Sequence, residues 1–163
     1  MPQVLHHVVM GVAGCGKSTV GQALAATLGV PFVDGDDFHS PEARAKMTAG
    51  VPLTDEDRWP WLDRLVAWMD DHEESGGVVA CSALRRAYRD RLRNTRMTLA
   101  FAELDVDPVE LRRRMAERVG HYMPVTLLES QLAALEPLDA TEGVRLDGTL
   151  PVPDLVTAIL DAG

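Results

Sequence analysis

The chain has 163 residues, 46% hydrophobic and 25% charged, the make-up of one globular domain that can bury a core without disulfide or metal staples. Its formal charge of −9 argues against nucleic acid or an anionic membrane as a partner, because both select basic surfaces. No apolar run approaches the ~20 residues of a membrane span and no signal-like segment opens the chain, while Cys15 and Cys81 form neither a disulfide framework nor a metal-ligand pattern, so a cytoplasmic protein is expected.

In chain order, Val4 to Met10 reads as a short strand, and Val20, Ala23, Leu24 and Leu28 recur at helical spacing. Between them lies Gly11-Val12-Ala13-Gly14-Cys15-Gly16-Lys17-Ser18, followed by Thr19, which fits G-x-x-x-x-G-K-[ST] in the strand-loop-helix setting that the pattern requires. Glycines at 11, 14 and 16 let backbone amides face an anion, Lys17 adds a point charge, Ser18 offers a hydroxyl to Mg²⁺, and the helix N-terminus points at the same oxygens. The stretch therefore binds a nucleoside triphosphate.

Gly29 and Pro31 end the first helix, Phe32-Val33 is a second strand, and Asp34-Gly35-Asp36-Asp37 puts carboxylates at its C-terminal edge, where open parallel sheets bind ligands. A short helix runs from Pro41 to Ala49 with Ser40 as its cap. Val51 to Trp61 is polar and broken by proline, and its two tryptophans are read as core residues, with the wall of a pocket as the alternative. A helix is expected from Leu62, through Leu65, Val66 and Met69, to near Gly76-Gly77. Val78 to Cys81 is a buried strand delivering Ser82 to Arg89 to the same edge, with a helix closing at Leu92. Met97 to Leu104 alternates as a strand, Asp107-Pro108 opens a basic helix from Val109 to Arg118, Gly120 to Pro124 interrupts it, and Val125 to Leu135 resumes. The segment 109–135 is expected to be a lid that keeps water from a transferring phosphoryl group. A last strand, Gly143 to Asp147, precedes a helix carrying Val152, Leu155, Val156, Ile159 and Leu160. The expected fold is α/β, a single domain with a five-stranded parallel sheet and helices on both faces. Ten of the sixteen Lys and Arg residues fall between Arg85 and Arg118, read either as solvated helix faces or as a basic island for anionic ligands.

With these pieces placed, the chain resembles the gluconate kinases, small phosphate-loop kinases similar in fold to shikimate and adenylate kinases. The resemblance runs nearly end to end. It is carried by the Met10 to Thr19 loop, Asp34-Gly35-Asp36 with His39, Lys46-Met47, Gly50 and Pro52-Leu53, and Asp55 with Asp57-Arg58 and Pro60-Trp61-Leu62. It continues in Cys81-Ser82-Ala83-Leu84-Arg85 with Tyr88-Arg89, Arg114, Arg118 and Gly120-His121, and Ser130-Gln131-Leu132 with Leu135-Glu136. Tyr122, where the family often has Phe, and Cys15, where a small Ser is common, are conservative departures.

The resemblance implies ATP-dependent phosphorylation of D-gluconate at its 6-hydroxyl, with Mg²⁺ required, and a homodimer. Residue roles follow from the loose transition state of phosphoryl transfer, which asks chiefly for positioning and charge neutralisation. The Gly11 to Thr19 loop takes the phosphates. Lys17, Arg114 and Arg118 face transition-state charge, Ser18 and Asp34 serve Mg²⁺, and Asp36 orients the attacking hydroxyl and takes its proton. Arg58, Arg85 and Arg89 are expected at the substrate carboxylate and polyol, with His39 and Ser82 as hydrogen-bond partners. The rival readings are another small hydroxy-acid kinase of shikimate type, a nucleoside monophosphate kinase, and a nucleotide-dependent switch that binds a protein.

Overall fold

The structure, a computed structural model, describes residues 5–117 and 125–162. Its five strands are β1 (Leu5–Met10), β2 (Phe32–Asp34), β3 (Gly77–Ala80), β4 (Thr98–Asp105) and β5 (Gly143–Asp147). They form one parallel sheet in the order β2-β3-β1-β4-β5. β1 is central, with Val8 opposite Val79 on one side and Phe101 on the other. Burial on both faces explains why β1 and β3 read as apolar runs, and alternation divides their side chains between two cores. Val9, Val78 and Ala102 pack with α1 (Lys17–Leu28) and α7 (Val152–Ala162), and also with α5 (Pro108–Glu117) and α6 (Val125–Ala134). Val8, Met10, Val79 and Phe101 pack with α3 (Asp55–Asp71) and α4 (Arg86–Leu92). The result is the expected three-layer arrangement.

Local chemistry fixes the ends of the elements. α1 starts at Gly16 and stops at Gly29, both left-handed, and the Gly29 N–H closes the last turn onto Ala25 and Ala26 carbonyls. Ser40 caps α2 (Pro41–Thr48) by accepting from the Ala43 N–H at 3.1 Å.

The start of α3 departs from expectation. The helix expected from Leu62 begins at Asp55, within the polar, Pro-broken stretch, because Thr54 and Asp57 form a reciprocal capping box and three acidic residues sit in the first turn. Pro60 lies inside the helix, at an exposed position. Trp61 and Leu62, which follow it directly, are buried. Trp61 belongs to the core, as expected for the tryptophan pair, while Trp59 is only partly buried against it.

Among the described residues no helix is long and apolar enough to cross a membrane.

Candidate active site

The phosphate loop leaves the sheet at its centre, between the ends of β3 and β4. Gly11 has φ +147°, and a Cβ there would meet Cys15 Sγ at 2.6 Å and the Leu104 carbonyl at 3.0 Å, so only glycine lets the chain turn off β1 at this point. Gly16, at φ +96°, bends the loop into α1. Val12, Ala13 and Cys15 are buried and tie the loop to the core, Thr19 is exposed on the first turn of α1, and Gly14 offers its carbonyl to Arg114 Nη1 at 3.0 Å.

Ser18 Oγ donates to Asp34 Oδ2 at 2.6 Å, which brings the two expected Mg²⁺-side groups together on the carboxyl edge. Asp34 Oδ1 accepts from the Asp36 N–H at 3.0 Å and so sets the turn that carries Asp36. A hydroxyl beside a carboxylate is the hard-oxygen donor set that Mg²⁺ takes. Among the described residues no group of three or more His, Cys, Asp or Glu side chains is placed to hold a metal ion.

Burial opposes the charge on Lys17, but neighbouring acidic groups, Cys15 first and then Asp36 and Asp34, outweigh it and raise the pKa. Burial pushes both thiols up, Cys81 to about 12. At neutral pH the two carboxylates therefore supply the counter-charge to Lys17.

On the β2–β3 side of the loop lies a cavity enclosing about 580 Å³, open solvent at its mouth included. Lys17, Asp36, His39, Arg58, Trp61 and Ser82 line it, joined by Tyr88, Ser130 and Gln131. His39 stacks on Trp61 at 4.2 Å between ring centroids, and its Nε2 lies 3.8 Å from Asp36 Oδ1. Burial, then the cations Arg44, Arg64 and Arg58, pull its pKa down to about 4, so the ring is neutral at pH 7 and able to donate to or accept from a hydroxyl. Trp61 Nε1 donates to the Gly35 carbonyl at 2.7 Å and fixes the wall against which His39 lies. Arg58 is held at the mouth by the Leu53 carbonyl at 2.7 Å, by Asp55 Oδ1 at 3.6 Å and by the Tyr88 ring at 5.0 Å. A shallower concavity continues outward from Leu53, Arg58, Tyr88 and Ser130 and adds Arg85 to the wall.

Two expected substrate residues are thus at the mouth, and Arg89 is not. Its side chain is 1% exposed, bonded to both Glu142 oxygens and to the Ala83 carbonyl, and it lines neither concavity. The sequence pattern placed it on the right helix but could not show which way it pointed. Nor is the run of arginines a free basic island. Arg86, Arg91, Arg93, Arg96, Arg112 and Arg113 each pair with an acidic side chain, which supports the solvated-face reading for most of them. Arg114 alone of the described lid arginines reaches the phosphate loop; Arg118, like Gly120, His121 and Tyr122, lies outside the described residues.

Sequence reasoning did not assign Gln131, whose Oε1 accepts from the Ala13 N–H of the phosphate loop at 2.7 Å while the side chain also lines the cavity. Only its place in the Ser130-Gln131-Leu132 motif hinted at a role. On the β4–β5 side of the loop, a second concavity is lined by Asp105 to Pro108, Arg145 to Asp147 and Thr149.

A family model described as shikimate kinase matches residues 13–127. The gluconokinase of Gluconobacter oxydans (strain 621H) is 45% identical over 152 residues, 91% of this chain and 85% of that protein. The crystal structure of a gluconokinase from Sinorhizobium meliloti 1021 superposes with a TM-score of 0.86 at 44% identity, covering 99% of this chain and 91% of that one. An unliganded sugar kinase from Janibacter sp. HTCC2649 superposes at 0.92, also with 44% identity, covering 99% and 94%. A loop built for phosphates between two cavities, together with likeness over almost the whole chain, places this protein in the gluconokinase family, on the fold of shikimate kinase.

Proposed function

We propose that the chain transfers the γ-phosphoryl group of MgATP to the 6-hydroxyl of D-gluconate, giving 6-phospho-D-gluconate and ADP. The observation that carries this reading is the cavity on the β2–β3 side of the phosphate loop. Its inner end holds Lys17 and Asp36, its walls hold hydroxyl-binding groups, and its mouth holds Arg58. Such a cavity suits a polyol with an anionic far end. Arg58, with Arg85 beyond it, takes the carboxylate, and His39 and Ser82 bond the hydroxyls between. The nucleotide base goes to the opposite concavity, beyond β4 and β5.

The 6-hydroxyl attacks the γ-phosphorus in line as the bond to the β,γ-bridging oxygen breaks, and the hydroxyl proton passes to Asp36. Mg²⁺ bound with the triphosphate would be held by Ser18 and Asp34 and would supply neutralising charge there, while Lys17 and Arg114 stabilise the charge that develops on the transferring group. Arg114 Nη1 already rests on the Gly14 carbonyl while its Nε bonds Glu110 Oε1 at 3.2 Å, and in this reading Nη1 exchanges the Gly14 oxygen for a phosphate oxygen. Arg112 bonds Glu129 through Nε and Nη2, tying α5 to α6, so the two helices move together as a lid when the site closes. Arg118 belongs to the same group of lid cations in this reading. A homodimer is the accompanying proposal, and light scattering of the purified protein decides it.

ADP release from MgATP tests the function, with D-gluconate, shikimate, other aldonates and AMP as acceptors, a no-acceptor control, and EDTA to remove Mg²⁺. D-gluconate is expected to stimulate alone, with loss of activity in EDTA and in Asp36→Asn. Stimulation by shikimate instead would replace the substrate and keep the site. ADP release that no acceptor changes would refute the reading.

A further inference from the structure

Arg89 and Glu142 form the most deeply buried ion pair among the described residues, with side chains 1% and 3% exposed. The contact is two-pronged, Nε to Oε1 at 2.9 Å and Nη2 to Oε2 at 3.1 Å, and Arg93 Nη2 adds a third bond to Oε1 at 3.1 Å. Glu142, held mainly by the hydrogen bond from Arg89, has its pKa pulled down to about 2. A buried ion pair is seldom a better stabiliser than an apolar pair of the same volume, since desolvation offsets most of the attraction. What an apolar pair cannot do is deliver a donor. Arg89 Nη1–H donates a hydrogen bond to the Ala83 carbonyl at 2.8 Å.

Ala83 is the one non-glycine residue of positive φ among those described, at +45°, and it is wholly buried. That conformation brings Cβ close to a carbonyl oxygen, so the surroundings must hold it in place. Its neighbours explain why the bend matters. Ser82 and Leu84 line the cavity beside the phosphate loop, the Ser82 carbonyl accepts from the Gly11 N–H at 3.4 Å, and the Leu84 carbonyl accepts from the Glu136 N–H at 2.7 Å.

We propose that Arg89, fixed by Glu142, is a positioning residue for the phosphoryl acceptor: by holding the Ala83 carbonyl it keeps the left-handed bend that aims Ser82 into the cavity. It acts on the substrate through the backbone rather than by touching it. The inference rests on reading this cavity as the acceptor site.

Steady-state kinetics of two variants test it. In Arg89→Met with Glu142→Leu, both charges leave together at similar volume. Thermal unfolding is expected near that of the wild type and the KM for MgATP within about twofold, while kcat/KM for D-gluconate falls about tenfold, the size of one lost hydrogen bond. Arg89→Lys keeps a cation beside Glu142 but has no planar fork to serve Glu142 and Ala83 at once, and it should show the same split. Ala83→Gly, which adopts positive φ without help, should then restore most of the gluconate kcat/KM to the Arg89→Lys variant. A purely structural pair would predict neither the split nor the rescue. Gluconate kinetics within twofold of wild type in either folded variant, or no rescue by Ala83→Gly, overturns the proposal. Absence of gluconate phosphorylation by the wild type overturns the substrate assignment instead, and the two failures are thereby distinguished.

Discussion

Replacing Arg58 by alanine isolates the carboxylate end of the proposed substrate. The guanidinium is preorganised by the Leu53 carbonyl, Asp55 and the Tyr88 ring, and its side chain is 18% exposed, so a carboxylate bound there is only partly solvated. A two-pronged bond to a carboxylate in such a wall counts as two charge-assisted hydrogen bonds, together about 3 kcal/mol. Losing it should lower kcat/KM for D-gluconate about 10²-fold. The cost in stability is expected to stay below about 1 kcal/mol, because Asp55 is half-exposed and water replaces the lost partner. The assay is coupled ADP release under varied gluconate, repeated with varied MgATP and with D-gluconamide, whose far end is neutral. KM for MgATP should move less than about twofold, and the gap between gluconate and gluconamide should largely close in the variant. Equal losses on both acceptors, or a KM for MgATP that rises with that for gluconate, would refute the assignment.

Two further outcomes follow from the same geometry. Gln131→Leu removes the acceptor of the Ala13 N–H at 2.7 Å, and a loss of about 1 kcal/mol should appear as a roughly fivefold fall in kcat; unchanged turnover would make the contact incidental. His39 has its folded-state pKa depressed to about 4 from 6.5, so the unfolded chain binds the extra proton between those values. Its contribution, about 3 kcal/mol, is present above pH 6.5 and disappears as the pH falls towards 4. His6 and His7, lowered chiefly by burial, act in the same direction. Urea unfolding at pH 7 and pH 5 should show the loss, with a smaller pH dependence in His39→Gln; an equal dependence in that variant would remove His39 from the account.

What could be seen from the sequence was what is local along the chain. The phosphate loop, the capping pairs and the short apolar strands are each fixed by neighbours within a few residues, so their placement needed no tertiary knowledge. The start of α3 runs against the signal of Pro60, because the mutual bonds of Thr54 and Asp57 outweigh one absent donor near a helix start. Arg89 was misread for a different reason. Its partner Glu142 lies 53 residues away, and a helix position facing the interior is compatible with either a ligand or a second protein group. Gln131 reaches across 118 residues to Ala13, a separation that no periodicity encodes. Long-range polar pairing decided which of several plausible arginines and amides point into the site.

The strand order β2-β3-β1-β4-β5 divides labour along the sheet. The connections after β2 and β3 carry Asp36, His39, Ser82 and Arg85, with Arg58 on α3 completing the proposed acceptor side, while the concavity proposed for the base lies at the ends of β4 and β5, and β1 with its loop is common to both. A gluconokinase frame could therefore be retargeted by exchanging the β3–α4 connection together with Arg58 and His39 while Asp34 and Asp36 are kept, a graft in which the concavity proposed for the phosphoryl donor's base is inherited.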